Sequence, residues 1–245
     1  MSKRNLKYRQ IRAMICAMLF LFSLCACGSN ANTPDEDSVV QGWGDNGGGR
    51  ESVTLEEING GALGDQIVFN VLPDGPIGDE KNFVGAREVT GENEGANNVW
   101  TANEIDAKDG QKYFVRIFVD NCNPNGLDAV SENTRVAFNV PEESGTVLVV
   151  NGYIYSDNAS PSEYWDSVCF RSDTPFHLEY EYGSASLENN GIGSNGAVPL
   201  GDEIVTKAHS EHGVQIGYET LDGKIPGGST YGAYISIQVT TVFDN

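Results

Sequence analysis

The residues that come closest to spelling out chemistry in this 245-residue chain are Asn121-Cys122-Asn123-Pro124-Asn125-Gly126, with Asp128 and Glu132 behind them. Oxygen-bearing side chains at the first, third, fifth and twelfth positions and glycine at the sixth match the spacing of a twelve-residue calcium loop. Asn rather than Asp leads the loop, only Asp128 and Glu132 bring charge, Pro124 stiffens it and no helical pattern flanks it. A calcium site on Asn121, Asn123, Asn125, Asp128 and Glu132 is therefore expected to be weak, and a plain Asn- and Gly-rich connection between strands is the competing reading. His209-Ser210-Glu211-His212 sets two imidazoles three residues apart, which on a helix would face one transition metal, but the neighbourhood reads as a loop. Gly191-Ile192-Gly193-Ser194-Asn195-Gly196 has the letters of a dinucleotide-binding turn, yet Ala197-Val198-Pro199 behind it opens no helix. Three histidines leave little scope for a catalytic triad, and acids are too abundant to mark any one pair for glycoside hydrolysis. No catalytic residue is assigned, and a non-enzymatic chain is expected.

Residues Met1 to Arg12 carry five basic residues (Lys3, Arg4, Lys7, Arg9, Arg12) and no acid, and an apolar run, Ile11 to Leu24, overlaps their end, the pattern of a secretory signal. At about 14 residues the run is shorter than the ~20 needed to span a bilayer as a helix. It ends in Leu24-Cys25-Ala26-Cys27-Gly28, which resembles the bacterial lipobox. The resemblance implies that Cys27 carries diacylglycerol and begins the mature chain; the alternatives are a plain signal peptide cut near Ala26 and an uncleaved anchor. Buried CH₂ groups worth ~0.8 kcal/mol each let several acyl chains on one cysteine hold a small domain at a membrane.

Removing residues 1–26 takes away five of the 15 Lys and Arg and none of the 35 acids, so the mature formal charge is −25. So acidic a surface disfavours nucleic acid and anionic lipid headgroups and permits cations, basic proteins and neutral glycans. Of the five cysteines, Cys16 and Cys25 leave with the signal and Cys27 goes to lipid, so Cys122 and Cys169 remain as a candidate disulfide in an oxidising compartment, or as two separate buried thiols.

These residues must be positioned by strands. In the stretch from Lys112 to Asp120, Tyr113, Val115, Ile117 and Val119 fall on one face and Lys112, Phe114, Arg116, Phe118 and Asp120 on the other. Asp109-Gly110 supplies the turn before this strand, and Pro141 closes the one that follows it. Further extended runs are expected at residues 83–89, 99–105, 146–156, 165–171, 176–182, 184–187, 203–206, 214–218 and 232–243. Ser172-Asp173-Thr174-Pro175 reads as a β-turn joining two antiparallel strands, and Gly152 as a bulge or kink. Residues 27–64, rich in Gly, Asn and Asp, read as a disordered tether in which 52–58 form at most a brief helix or strand, and the domain as 65–245. The fold class expected is an all-β, antiparallel β-sandwich of about nine to eleven strands.

The block from Asp109 onward resembles the bacterial surface family known as the conserved-repeat domain, domain of unknown function eleven, and more distantly immunoglobulin-like adhesion modules. The resemblance rests on Asp109-Gly110 before an aromatic and β-branched strand, on Asp120-Asn121 ending it, and on the strand that stops at Pro141. It implies an immunoglobulin-like extracellular sandwich with structural or adhesive roles and no catalytic residues. Relatives of the adhesin kind join a core Lys to Asn, for which Lys112 is the nearest candidate by strand position. The function expected is that of a lipid-anchored protein on the outer face of the cell membrane, with Trp165, Tyr153, Tyr155 and Tyr164 as candidate contacts for a cell-surface protein or glycan. The competing class is a secreted carbohydrate-active hydrolase, or a glycan-binding module, with an acidic, aromatic-lined cleft.

Overall fold

The computed structural model describes residues 51–90 and 101–244. Among them are ten strands: β1 (Val84–Glu88), β2 (Thr101–Asp106), β3 (Lys112–Val119), β4 (Arg135–Asn139), β5 (Gly145–Tyr155), β6 (Glu163–Tyr180), β7 (Ser186–Asn189), β8 (Val198–Pro199), β9 (Val214–Gln215) and β10 (Ala233–Phe243). Two short α-helices, α1 (Leu55–Asn59) and α2 (Glu203–Thr206), and two 3-10 turns, Gly126–Asp128 and Ser229–Tyr231, complete the regular structure. The all-β sandwich is the architecture expected, and its strand number lies inside the expected range.

Hydrogen bonding runs in the order β8-β7-β10-β3-β1-β2-β6-β5-β4-β9, antiparallel except for the parallel β2–β6 pair. The sheet doubles over, so that β5 lies across the core from β1 and β3. Period-two patterning makes this possible: Tyr113, Val115, Ile117 and Val119 of β3, Leu148, Val150 and Ile154 of β5, and Ile235, Ile237 and Val239 of β10 all point inward and are buried. The other row of β3 is partly covered from Phe114 onward. The Arg87 guanidinium lies 4.7 Å from the Phe114 ring centre, and that of Arg116 4.9 Å from Tyr234.

Gly152 is neither bulge nor kink, since it pairs in register with Phe138 on one side and Asp166 on the other. Its lack of a side chain is required by the second layer: a Cβ there would stand 2.6 Å from Val84 Cγ2 and 2.7 Å from Ile117 Cγ1. The turn expected at residues 172–175 is likewise absent. β6 runs unbroken from Glu163 to Tyr180, pairing with β5 and β2 in its first part and with β10 through Phe176–Tyr180. Between the pairs Val147↔Arg171 and Gly145↔Phe176, residues 172–175 of β6 lie opposite Thr146 alone. The Ser, Asp, Thr and Pro form the bulge at which the strand passes from one layer to the other. Residues 203–206, expected as a strand, form the single turn α2, with Ile204 buried.

The domain also begins earlier than Asp65. Thr54 Oγ1 accepts a hydrogen bond from the Glu57 amide at 3.3 Å, and Glu57 Oε2 accepts one from the Thr54 amide at 2.9 Å, a capping box that starts α1. The turn thus formed delivers Ile58 and Leu63 into a second apolar cluster with Val68, Val71, Leu72 and Cys122. Residues 51–64, expected in the tether, are therefore part of the packed body. The rest of the tether, the signal segment and Cys27 lie outside the described residues.

Candidate functional site

The outer face of β4, β5 and β6 carries an aromatic strip. Ala137, Tyr153 and Trp165 are cross-strand neighbours, and so are Arg135, Tyr155 and Glu163 two residues along. Because Leu148, Val150 and Ile154 occupy the core-facing positions of β5, Tyr153 and Tyr155 must face outward, where they are half-buried. Their rings stack at 5.9 Å with planes 12° apart. The segment after α2 folds over them, bringing His209 within 5.8 Å of Tyr153 and His212 within 4.2 Å of Tyr155, ring centre to ring centre. His212 adopts a positive φ of 56° and Gly213 one of 67° to make that turn. Burial, and after it the Glu163 charge, raises both tyrosine pKa values, so the phenols stay protonated and can donate.

Two concavities flank the strip. One of about 340 Å³ is lined by Asn133, Arg135, Tyr155, Asp157, Glu163 and His212, among others. The other, of about 520 Å³, is bounded by Pro141, Leu178, Tyr180, Tyr182, Val205 and His209. Of the four aromatics singled out from sequence, Tyr153, Tyr155 and Trp165 lie on this face. Tyr164 does not: alternation turns it inward, where it is fully buried edge-on to Phe69 at 5.5 Å with its hydroxyl donating to Ser160 O. His209 and His212 each lie against a different tyrosine rather than facing one common point.

The residues proposed for calcium are spread over several tasks. Asn121 Nδ2 donates to the carbonyls of Ala129 and Ile225, and Asn123 Nδ2 donates to those of Gly64 and Gln66. Asn121 Oδ1 accepts from the Asn123 amide and Asn123 Oδ1 from the Asn125 amide. Asn125, Asp128 and Glu132 are exposed. Cys122 and Cys169 are both free and both buried, which corrects the expected disulfide. Cys169 sits in the middle of β6, paired with Val149 and Glu104, and burial pushes its thiol up to about 11. Cys122 lies beyond the end of β3. Lys112 is exposed and pairs with Glu181 Oε2 at 2.6 Å.

A group the sequence did not single out lies beside Cys122. Glu80, Asp120 and Cys122 are buried and bring one donor atom each to within 4.8 Å of one another, the only such group of three or more His, Cys, Asp or Glu among the described residues. Extended chain places Asp120 and Cys122, two residues apart, on one side. The buried Asn70, at φ 50°, fixes that stretch by accepting from the Asp120 amide and donating to Phe118 O, both at 2.7 Å. Glu80 arrives on the loop 72–80, where its amide donates to Leu72 O and its carboxyl fills the space over Gly75, whose Cβ would stand 2.0 Å from Glu80 Oε1. Ser229 Oγ donates to Asp120 Oδ2 at 2.6 Å, and the Cys122 thiol to Glu80 Oε2 at 3.5 Å. Burial, then the neighbouring Asp120 charge, pushes Glu80 up to about 8, and burial also raises Asp120. An acid in a Gly- and Pro-rich segment reads as solvated, and Asp120 falls on the mixed row of its strand, so only the alternation of Asp120 with Cys122 was available as a signal.

Among the described residues no helix is long and apolar enough to cross a membrane. The chain matches no protein-family model, no curated protein and no solved structure, so what it is for has to be argued from this geometry.

Proposed function

We propose that the chain is a non-enzymatic, lipid-anchored β-sandwich at the outer face of the cell membrane, and that the outer face of β4, β5 and β6 binds a glycan of that surface. The observation that carries the reading is the strip of Tyr153, Tyr155 and Trp165 with the concavity beside it. Stacked and half-buried rings offer flat apolar area to the faces of sugar rings. Arg135, Asn133, Asp157 and Glu163 at its edge offer donors and acceptors to hydroxyl groups. A formal charge of −20 on the whole chain suits a neutral or cationic ligand. The lipobox-like Leu24-Cys25-Ala26-Cys27-Gly28 supports the anchor.

A hydrolase would need two carboxylates in a groove open to substrate. The close carboxyl pair of Glu80 and Asp120 lies at 0 % exposure and is closed to substrate, so a hydrolytic reading would rest on Asp157 and Glu163, which line the concavity beside Tyr155. A glycan array on the purified protein tests it: signal for a defined glycan class is expected, and the reading fails if no glycan binds. Labelled palmitate incorporated by the wild type and not by Cys27→Ala is the result expected for the anchor; equal labelling of both would contradict it.

A further inference from the structure

We infer that Glu80, Asp120 and Cys122 form a buried binding site for a divalent cation of the zinc class. The donors come from two separate segments, the loop 72–80 and the chain just beyond β3, and converge within 4.8 Å. All three residues are almost wholly enclosed, with Glu80 and Asp120 at 0 % and Cys122 at 4 % exposure. Each carboxyl has one oxygen engaged, Glu80 Oε2 by Cys122 and Asp120 Oδ2 by Ser229. The other oxygens, Glu80 Oε1 and Asp120 Oδ1, have no donor among the described residues from outside the cluster, and the two carboxyls hydrogen-bond to each other through the proton that Glu80 keeps. The proton that Glu80 keeps sits among enclosed donor atoms, and a cation bound there would take its place.

The donor types select the metal class. Calcium and magnesium take oxygen ligands and gain nothing from a sulfur, whereas zinc accepts thiolate and carboxylate in one tetrahedral set. On binding, the Cys122 S–H bond breaks, its proton leaves to solvent and the sulfur lone pair is donated to the metal. Glu80 likewise binds as the carboxylate. Ser229, through its bond to Asp120 Oδ2, is a positioning residue. The cation would tie the loop 72–80 to the end of β3 and to the apolar cluster that holds α1, of which Cys122 is a member.

The test uses the purified full-length chain, stripped with chelator, refilled with Zn²⁺ alone and analysed by mass spectrometry of the native protein. A parallel sample takes Co²⁺, whose thiolate charge-transfer band reports sulfur ligation. One zinc per chain is expected for the wild type, with the cobalt band lost in Cys122→Ser, uptake lost in Glu80→Gln, and affinity about 10-fold weaker in Ser229→Ala. Glu80→Gln keeps the side-chain shape, and circular dichroism matching the wild type shows that lost uptake is not lost folding. If Glu80→Gln fails to fold, Cys122→Ser decides by itself. Failure of the wild type to take up zinc, uptake that survives in folded Glu80→Gln, or a cobalt thiolate band that survives in Cys122→Ser overturns the inference.

Discussion

Two regions of this sandwich use the same two-residue alternation to opposite ends. On β5 and β6 it turns Tyr153, Tyr155 and Trp165 outward, where all three stay half-buried rather than enclosed. Just past β3 it turns Asp120 and Cys122 toward Glu80, where water is excluded and the carboxyl groups find partners in one another, Cys122 and Ser229. The outer strip has contact area to offer; the inner cluster offers three enclosed donor atoms within reach of one small ion. Exposure alone makes the first a candidate for a large, weakly held ligand and the second for a small, tightly held one.

Neighbouring residues break the comparison most sharply. Tyr164 and Trp165 are adjacent in β6 and face opposite ways. Tyr164→Ala should cost ~3–5 kcal/mol of unfolding free energy, because it empties a fully buried ring site. Trp165→Ala should cost under ~1 kcal/mol and instead remove glycan binding. Chemical denaturation of the pair measures both. Equal costs would mean that Trp165 is as much a core residue as its neighbour.

Gly152→Ala comes next, at ~1–3 kcal/mol in the same assay, since the new methyl must displace Val84 and Ile117 across the core. This glycine also shows how far the sequence could be read. The alternation of β3, β5 and β10 was legible residue by residue, and with it the fold class. That Gly152 was special was legible too, but its reason lies on β1 and β3, far away in the chain. Residues 172–175 look like a turn because Ser, Asp, Thr and Pro suit any exposed irregularity, and a four-residue bulge at a layer change uses the same chemistry. The beginning of the domain could have been found from Thr54-Leu55-Glu56-Glu57, whose capping-box spacing is local. The inner cluster could not, because it depends on a loop folding Glu80 onto β3. At residues 120–123 the sequence reading took the Asn row, which closes loops by bonding backbone, whereas the donors that converge belong to the alternate row.

Asn121→Ala sharpens that last point. Two buried carbonyls, those of Ala129 and Ile225, would lose their donor, and a loss of ~1–3 kcal/mol is expected with no change in zinc uptake.

A further effect concerns pH. In chelator-stripped protein, Glu80 has a folded-state value raised from its ordinary 4.5 to about 8. The folded state therefore holds a proton that the unfolded chain releases. The stability this proton brings is complete below about 4.5 and is lost as pH rises through about 8. A series of denaturation midpoints across that window should decline for the wild type and lose this component in Glu80→Gln.

The most direct test of the binding face is the affinity of the strongest array ligand for the wild type, for Tyr155→Ala and for Leu127→Ala, where Leu127 is an exposed residue of the connection between β3 and β4. The account predicts about tenfold weaker binding for Tyr155→Ala, at a melting temperature close to that of the wild type, and no change for Leu127→Ala. Unchanged affinity in Tyr155→Ala, or an equal loss in both variants, would contradict it.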